Sequence, residues 1–590
     1  MKADLKNFFT SPFKRIRDSE YAYTSLLALV IGILAALGSI SFTYMIKGFQ
    51  WLFYGPGDAL VSIVAEMPWY QKVAMPALGG LIVGPLIYHF AKEAKGHGVP
   101  EVMRAVALRG GIIRKRVVAI KALASAISIG SGSSVGSEGP IVQMGSALGS
   151  VVGQTQKLSG NKMKSLVACG AAGGIAAIFN APIAGVMFAI EIIMGDIAIS
   201  TFGPIIISAV TATVISRAWW GDIPTFHVPE YQLVSTWEIP AYILLGFIAA
   251  FVALIFTKTL YWAEDFFDEK VKIPEYLQPV IGGVLVGITG LFLPHILGVG
   301  YSVIDDALLG NLPFTLLLLL IVIKIITTSI SLGSGSSGGV FAPSLFIGAV
   351  TGGAFGSLAH GIFPSISATS GAYALVGMGA VVAGTTFAPI TAIMIIFEMT
   401  SDYQIILPLM LTCITSTVVA SSFSKESIYT MKLVREGINL YAGKEVNLLK
   451  SIPVEGAMAR GVQTIPENMS IRGLNTFLEK SKHANFPLVD KNGLLSGIIS
   501  FQDFKSAVFE EELQDLVIVK ELAVKNVITV TPDENLDDAL KKIGNRNIEQ
   551  LPVVSKENPR KIVGILSRRD IISAYNKKLL EHRLRDSGEA

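Results

Sequence analysis

The chain has 590 residues, a net charge of only +3 and a mean hydropathy of +0.56, with 16% of its residues charged. A soluble chain of this length carries about 25% charged residues. Of the 48 Lys+Arg and 45 Asp+Glu, 40 lie between Ser451 and Ala590, so the first 450 residues are membrane-like and the last 140 resemble a soluble region. The small net charge removes any case for a nucleic-acid partner.

At the N-terminus, Lys2, Lys6, Lys14, Arg15 and Arg17 alternate with Phe8, Phe9 and Phe13. This predicts an amphipathic cytoplasmic helix over 1–20 lying on the membrane, and not a signal peptide. Apolar stretches then follow near 23–46, 73–90, 117–129, 141–152, 166–193, 202–215, 239–260, 280–293, 314–330, 344–358, 372–397 and 405–419. A full crossing of the bilayer needs about 20 apolar residues. Several of these stretches are shorter, and many are broken by Gly or Pro, as half-helices facing protein or a water-filled cavity are. Cys169 and Cys413 both lie in apolar runs and read as core filler, with no disulfide or metal role. Arg114-Lys115-Arg116, Lys121, the 157–164 loop and the 425–435 stretch are short and basic. They place those segments, and both termini, in the cytoplasm. The expected division is a membrane domain over 21–440 and a cytoplasmic region over 441–590.

The membrane part repeats itself. Gly130-Ser131-Gly132-Ser133-Ser134-Val135-Gly136-Ser137-Glu138-Gly139-Pro140 aligns with Gly333-Ser334-Gly335-Ser336-Ser337-Gly338-Gly339-Val340-Phe341-Ala342-Pro343. Further on, Ala181-Pro182-Ile183 followed by Glu191 matches Ala388-Pro389-Ile390 followed by Glu398. Two matched blocks in the same order mark two related halves. Broken helices at corresponding places point to a binding site at the bilayer midplane.

Three breaks share one design, small residues followed by a helix start: Gly96-His97-Gly98-Val99-Pro100-Glu101, Gly136-Ser137-Glu138-Gly139-Pro140 and Gly338-Gly339-Val340-Phe341-Ala342-Pro343. Proline suits a first helical turn, whose N–H groups have no partner within the helix. Such an end offers free donors and about +0.5 of an elementary charge. Converging ends would bind an anion without the full positive charge that would slow its exit. The candidate anion ligands are His97, Gly98, Val99, Gly136, Gly139, Val340 and Phe341, joined by the hydroxyl of Tyr429. Glu138 is a carboxylate among apolar residues, which inside a membrane is by default a functional group. Its charge can take the anion's own place, and protonation removes that competition.

The three breaks, in this order, resemble the anion-site motifs of the CLC family of chloride channels and chloride/proton exchangers, over about residues 20–440. The resemblance implies a multi-pass homodimer in the cell inner or plasma membrane. Each subunit would hold its own pore, in an all-α membrane domain with an inverted repeat of broken and tilted helices. It further implies that Glu138 is the gate, and in exchangers the proton carrier, and that Tyr429 lines the inner chloride site. Three positions depart from the family. His97 stands where Ser is frequent, and Ser137 where Arg or Lys is frequent. Ile192 stands where many exchangers have a second glutamate that admits protons from the cytoplasm. Glu191 or His97 could take over that proton path. Glu191 and Glu398 read first as structural partners of neighbouring helix ends. The favoured expectation is a gated chloride channel; the alternative is a chloride/proton antiporter. Fluoride transport and a CBS-regulated cation transporter rank lower.

After Ser451 a soluble α/β pattern repeats with an offset near 66: 497–503 (Gly-Ile-Ile-Ser-Phe-Gln-Asp) matches 564–570 (Gly-Ile-Leu-Ser-Arg-Arg-Asp). This resembles a cytoplasmic pair of CBS domains, about 451–510 and 520–580. The resemblance implies a regulatory cleft for an adenosine nucleotide, with Ser500, Asp503, Ser567 and Asp570 as contacts, although Ser and Asp at these places also serve as helix caps. No Gly-x4-Gly-Lys-Ser/Thr loop and no His-Glu-x-x-His occurs, so the expectation is transport without a required cofactor or metal, and not enzymatic catalysis. The last transmembrane helix, carrying Tyr429, is expected to lead into this region and to pass its state to the pore.

Overall fold

The computed structural model describes residues 20–57, 60–158, 160–195, 199–226, 228–229, 231, 233–400, 403–438, 449–478, 481, 485–500, 503, 514–515, 517–546 and 549–586. The amphipathic helix expected over 1–20 lies outside these residues, apart from Glu20. The described residues fall into two compact units divided between Ile438 and Asn439.

The first unit is all-α. Its first half runs α1 (Glu20–Tyr54), α2 (Trp69–Phe90), α3 (Val99–Leu108), α4 (Arg116–Gly130), α5 (Glu138–Thr155), α6 (Asn161–Phe179), α7 (Pro182–Phe188, extended by a wide turn to Met194) and α8 (Ile199–Trp220). The second runs α9 (Ile239–Asp265), α10 (Gln278–Phe292), α11 (Tyr301–Leu308), α12 (Phe314–Gly333), α13 (Phe341–Ile362), α14 (Ser370–Thr386), α15 (Pro389–Thr400) and α16 (Ile406–Phe423). A seven-residue helix, Leu60–Glu66, follows α1. Among the described residues, nine helices are long and apolar enough to cross a membrane, and shorter apolar helices lie between them.

The two halves are related by a pseudo-two-fold that can be read from single bonds. Ser125 Oγ pairs with Ser337 Oγ at 2.8 Å, and Thr328 Oγ1 pairs with Ser134 Oγ at 3.1 Å. Ser337 N donates to Ser128 Oγ at 3.3 Å, and Ser134 N donates to Ser331 Oγ at 3.2 Å. Each bond maps onto the other when 203 is added to the first-half residue. The core lies where α5 packs on α6 and α13 packs on α14. These helices touch through glycines: Gly145 and Gly149 meet the backbone of α6, and Gly348 and Gly352 meet that of α14. Small residues let helix backbones approach where lipid supplies no hydrophobic drive.

Two expectations change here. Lys121, read as a cytoplasmic surface charge, is fully buried within α4. Tyr429, expected on a last transmembrane helix, instead precedes α17, a six-residue helix over Thr430–Arg435. The polar segment after α16 is too short and too basic to make another crossing.

In the second unit, β1 (Ile465–Pro466), β2 (Asn485–Val489) and β3 (Leu495–Ser500) form one sheet, and β4 (Gln550–Val554) and β5 (Ile562–Ser567) form another. β2–β3 and β4–β5 are antiparallel hairpins whose registers match: Pro487 faces Ile498, and Pro552 faces Ile565. Helices α18 (Ile471–Leu478), α19 (Leu536–Arg546) and α20 (Arg568–Asp586) complete the repeat. Each copy has its own apolar core, one built on Ile471, Phe486 and Ile499, the other on Leu536, Leu551 and Leu566.

Candidate anion site

The three glycine-rich breaks meet because their backbones bond to one another. Gly136 N donates to Gly339 O at 2.8 Å, and Gly339 N returns a bond to Gly136 O at 2.6 Å. Gly96 N donates to Ser336 O at 3.3 Å, and Gly338 N donates to Gly96 O at 3.4 Å. This brings the starts of α3, α5 and α13 together. Glycine is required by the closeness of approach: a Cβ on Gly339 would stand 2.7 Å from Gly139 N. Gly98 adopts φ +80°, in the left-handed region that favours glycine, immediately before α3.

Glu138, 1% exposed, begins α5. Its Oε2 accepts from Ala342 N at 3.2 Å, in the first turn of α13. Its Oε1 accepts from the Tyr301 hydroxyl at 3.0 Å and the Ser137 hydroxyl at 3.3 Å. The carboxylate therefore sits on donors of the second half's broken helix, where an anion would be held.

His97 is fully buried, and neither ring nitrogen has a partner among the described residues. Its ring centroid lies 5.9 Å from that of Tyr429, itself 1% exposed. A buried donor left unpaired costs about 1–3 kcal/mol, so the imidazole N–H is a donor awaiting an acceptor. Val340 precedes α13, and the ring of Phe341 packs against Phe179 and Phe188 with centroids 6.1 and 6.4 Å apart.

Three supports of this site are not announced by any local motif. Lys121 Nζ donates to Ala94 O at 2.9 Å and Gly96 O at 2.7 Å, holding the first break from behind. Lys324, 203 positions later, donates to Ile296 O at 3.0 Å and Gly298 O at 3.2 Å. It holds a fourth break, Gly298-Val299-Gly300, which opens α11 and presents Tyr301 to Glu138. Two lysine amino groups thus lie behind the breaks, with their donors committed to carbonyls. The repeat offset was the available signal: 121 and 324 are as far apart as 130 and 333.

Glu191 lies elsewhere. Its oxygens accept from Ile390 N at 3.3 Å, Thr391 N at 2.8 Å and Thr391 Oγ1 at 2.6 Å, at the start of α15. Glu398 mirrors it, accepting from Ile183 N at 3.0 Å and Ala184 N at 2.7 Å at the start of α7. Ile192 is buried, 6% exposed. In the second unit, Asp503 Oδ2 accepts from Ser500 N and Oγ, both at 2.7 Å. Asp570 Oδ2 accepts from Ser567 N at 2.9 Å and Oγ at 2.6 Å. Each Ser–Asp pair closes on itself, the second at the start of α20.

Residues 79–421 match the family model described as voltage gated chloride channel, and residues 451–510 and 519–577 each match the CBS domain. The chain is 37% identical over 413 residues to a Ralstonia nicotianae relative named as a ClcB-like chloride channel protein, covering 69% of this chain and 96% of that one. It is 36% identical over 373 residues to the H(+)/Cl(-) exchange transporter ClcA of Vibrio parahaemolyticus, covering 62% and 80%. Among solved structures it resembles a slow cyanobacterial Cl-/H+ antiporter at 29% identity and a TM-score of 0.65, covering 70% and 97%. The chain belongs to the voltage-gated chloride channel (CLC) family of membrane transport proteins and carries a pair of CBS domains.

Proposed function

We propose that this chain is a chloride/proton antiporter, with Glu138 as both gate and proton carrier. The reading rests on one observation: the Glu138 carboxylate occupies the N–H of Ala342 at a helix start. Ionised, it competes with chloride for that place. Protonated, it loses the charge that holds it there, and chloride takes the freed donors. Exchange follows if Glu138 loads its proton on one side and releases it on the other. Relatives named as exchangers favour this over the gated channel expected from sequence. The open donor of His97 suits a permeating chloride, and its second nitrogen suits a proton relay. We give Glu191 no part in that relay, since both its oxygens serve α15. Homodimeric assembly, cytoplasmic termini and regulation of transport by an adenosine nucleotide at the CBS pair belong to the same proposal.

Ile192 favours a second reading, passive chloride conduction, because no carboxylate stands there to admit protons. The deciding experiment reconstitutes the full chain in liposomes under a chloride gradient and records chloride and pH together. Antiport predicts protons driven uphill by chloride. Chloride flux without proton movement leaves the channel, and no chloride flux ends both readings.

A further inference from the structure

A cavity of about 500 Å³ approaches the gate from a side that includes neither His97 nor Tyr429. It is lined by residues of α1, the end of α8 and the fourth break, together with Ser137 and Tyr301. Both of these last residues bond to Glu138. Ser137 brings no charge to the lining. Among the described lining residues, one side chain is charged: Lys47, on α1. No described carboxylate forms an ion pair with it. Its Nζ instead lies 5.4 Å from the ring centroid of Trp220, a contact that steadies the side chain. Trp220 packs on Tyr44 with centroids 5.3 Å apart, and Tyr44 accepts from Trp219 Nε1 at 3.2 Å. Such an aromatic cluster suits the membrane–water boundary, where an anion enters from solvent.

We propose that Lys47 is the recruiting cation of this vestibule, concentrating chloride in front of Glu138. A single-sign charge in a low-dielectric cleft raises the local concentration of its counter-ion. Trp220 limits how far the ammonium reaches, so Lys47 attracts chloride without trapping it. The inference rests on chloride being the transported ion and says nothing about protons.

The test uses the full chain in liposomes with chloride varied on the vestibule side. Lys47→Gln raises the half-saturating chloride about 3- to 10-fold at an ionic strength near 0.01 M, with the proton-to-chloride ratio unchanged, and Lys47→Arg restores it. The gap shrinks near 0.15 M salt, where the screening length falls from about 30 to 8 Å. Cys169 and Cys413 are both fully buried, so Lys47→Cys offers a unique target for impermeant thiol reagents. A cationic methanethiosulfonate restores the chloride affinity, and an anionic one of similar size does not. An unchanged half-saturation in Lys47→Gln overturns the inference, as does equal rescue by both reagents, which would indicate a packing role. Either result, with coupled exchange intact in the unaltered protein, leaves the antiporter reading standing. Loss of coupled exchange in the unaltered protein would refute that reading instead.

Discussion

Glu191 and Glu398 separate a structural role from a proton-carrying one, because the pseudo-two-fold gives them matching backbone partners. Each half-buried carboxylate places two oxygens on two N–H groups at the start of the opposite half's short helix. Glutamine has one acceptor oxygen, so Glu191→Gln or Glu398→Gln leaves one N–H facing an NH2 donor. It also removes a negative charge from a helix N-terminus. An unpaired, partly buried donor costs about 1–3 kcal/mol, and the lost interaction with the helix end about 0.3–1 kcal/mol. Each substitution should therefore cost about 2 kcal/mol. Glu191→Gln should be the worse by up to about 1 kcal/mol, since it also weakens the 2.6 Å bond from the Thr391 hydroxyl. Thermal melting of the purified full chain should read this as a drop of about 2–4 °C in each variant. Paired chloride and pH recordings in liposomes should give the same proton-to-chloride ratio in both variants as in the unaltered protein. If Glu191→Gln abolishes proton movement while Glu398→Gln retains it, Glu191 lies on the proton path and the capping argument fails.

Glu138→Gln should carry chloride without protons and with no pH dependence, whereas the unaltered protein speeds up as pH falls, since protonation ends the competition at Ala342 N; retained pH dependence in chloride-flux recordings would shift the titrating role to His97. His97→Ser replaces a deep imidazole donor by a short hydroxyl, so the order of chloride, bromide and nitrate fluxes in liposomes should change while Glu138-dependent coupling persists; an unchanged order would take His97 off the anion path. Lys121→Met and Lys324→Met each strip two carbonyls of their donor, at about 1–3 kcal/mol per carbonyl. Both should lower the melting temperature, and Lys121→Met, which frees the Gly96 break, should weaken chloride binding measured by calorimetry more than Lys324→Met does.

The membrane class, the repeat, the three breaks, the conspicuous Glu138 and the CBS pattern were legible in the amino-acid order alone. These are written in local composition and in spacing: glycines before a proline announce a helix start wherever they stand, and a lone carboxylate in an apolar run is conspicuous without coordinates. The same locality misled at Lys121, where a basic residue beside Arg114–Arg116 reads as surface charge although its ammonium is buried on the carbonyls of Ala94 and Gly96. It also missed Tyr301, 163 residues from the carboxylate to which it donates. Which donors hold Glu138, what Glu191 and Glu398 cap, and that Lys47 is the one charged side chain among the described lining residues of the cavity emerge from the packed fold. Apart from the Ser137–Glu138 bond, these contacts join residues 163 to 215 positions apart, and their partners are chosen by how two copies of one helix pattern pack face to face, which no window along the chain contains.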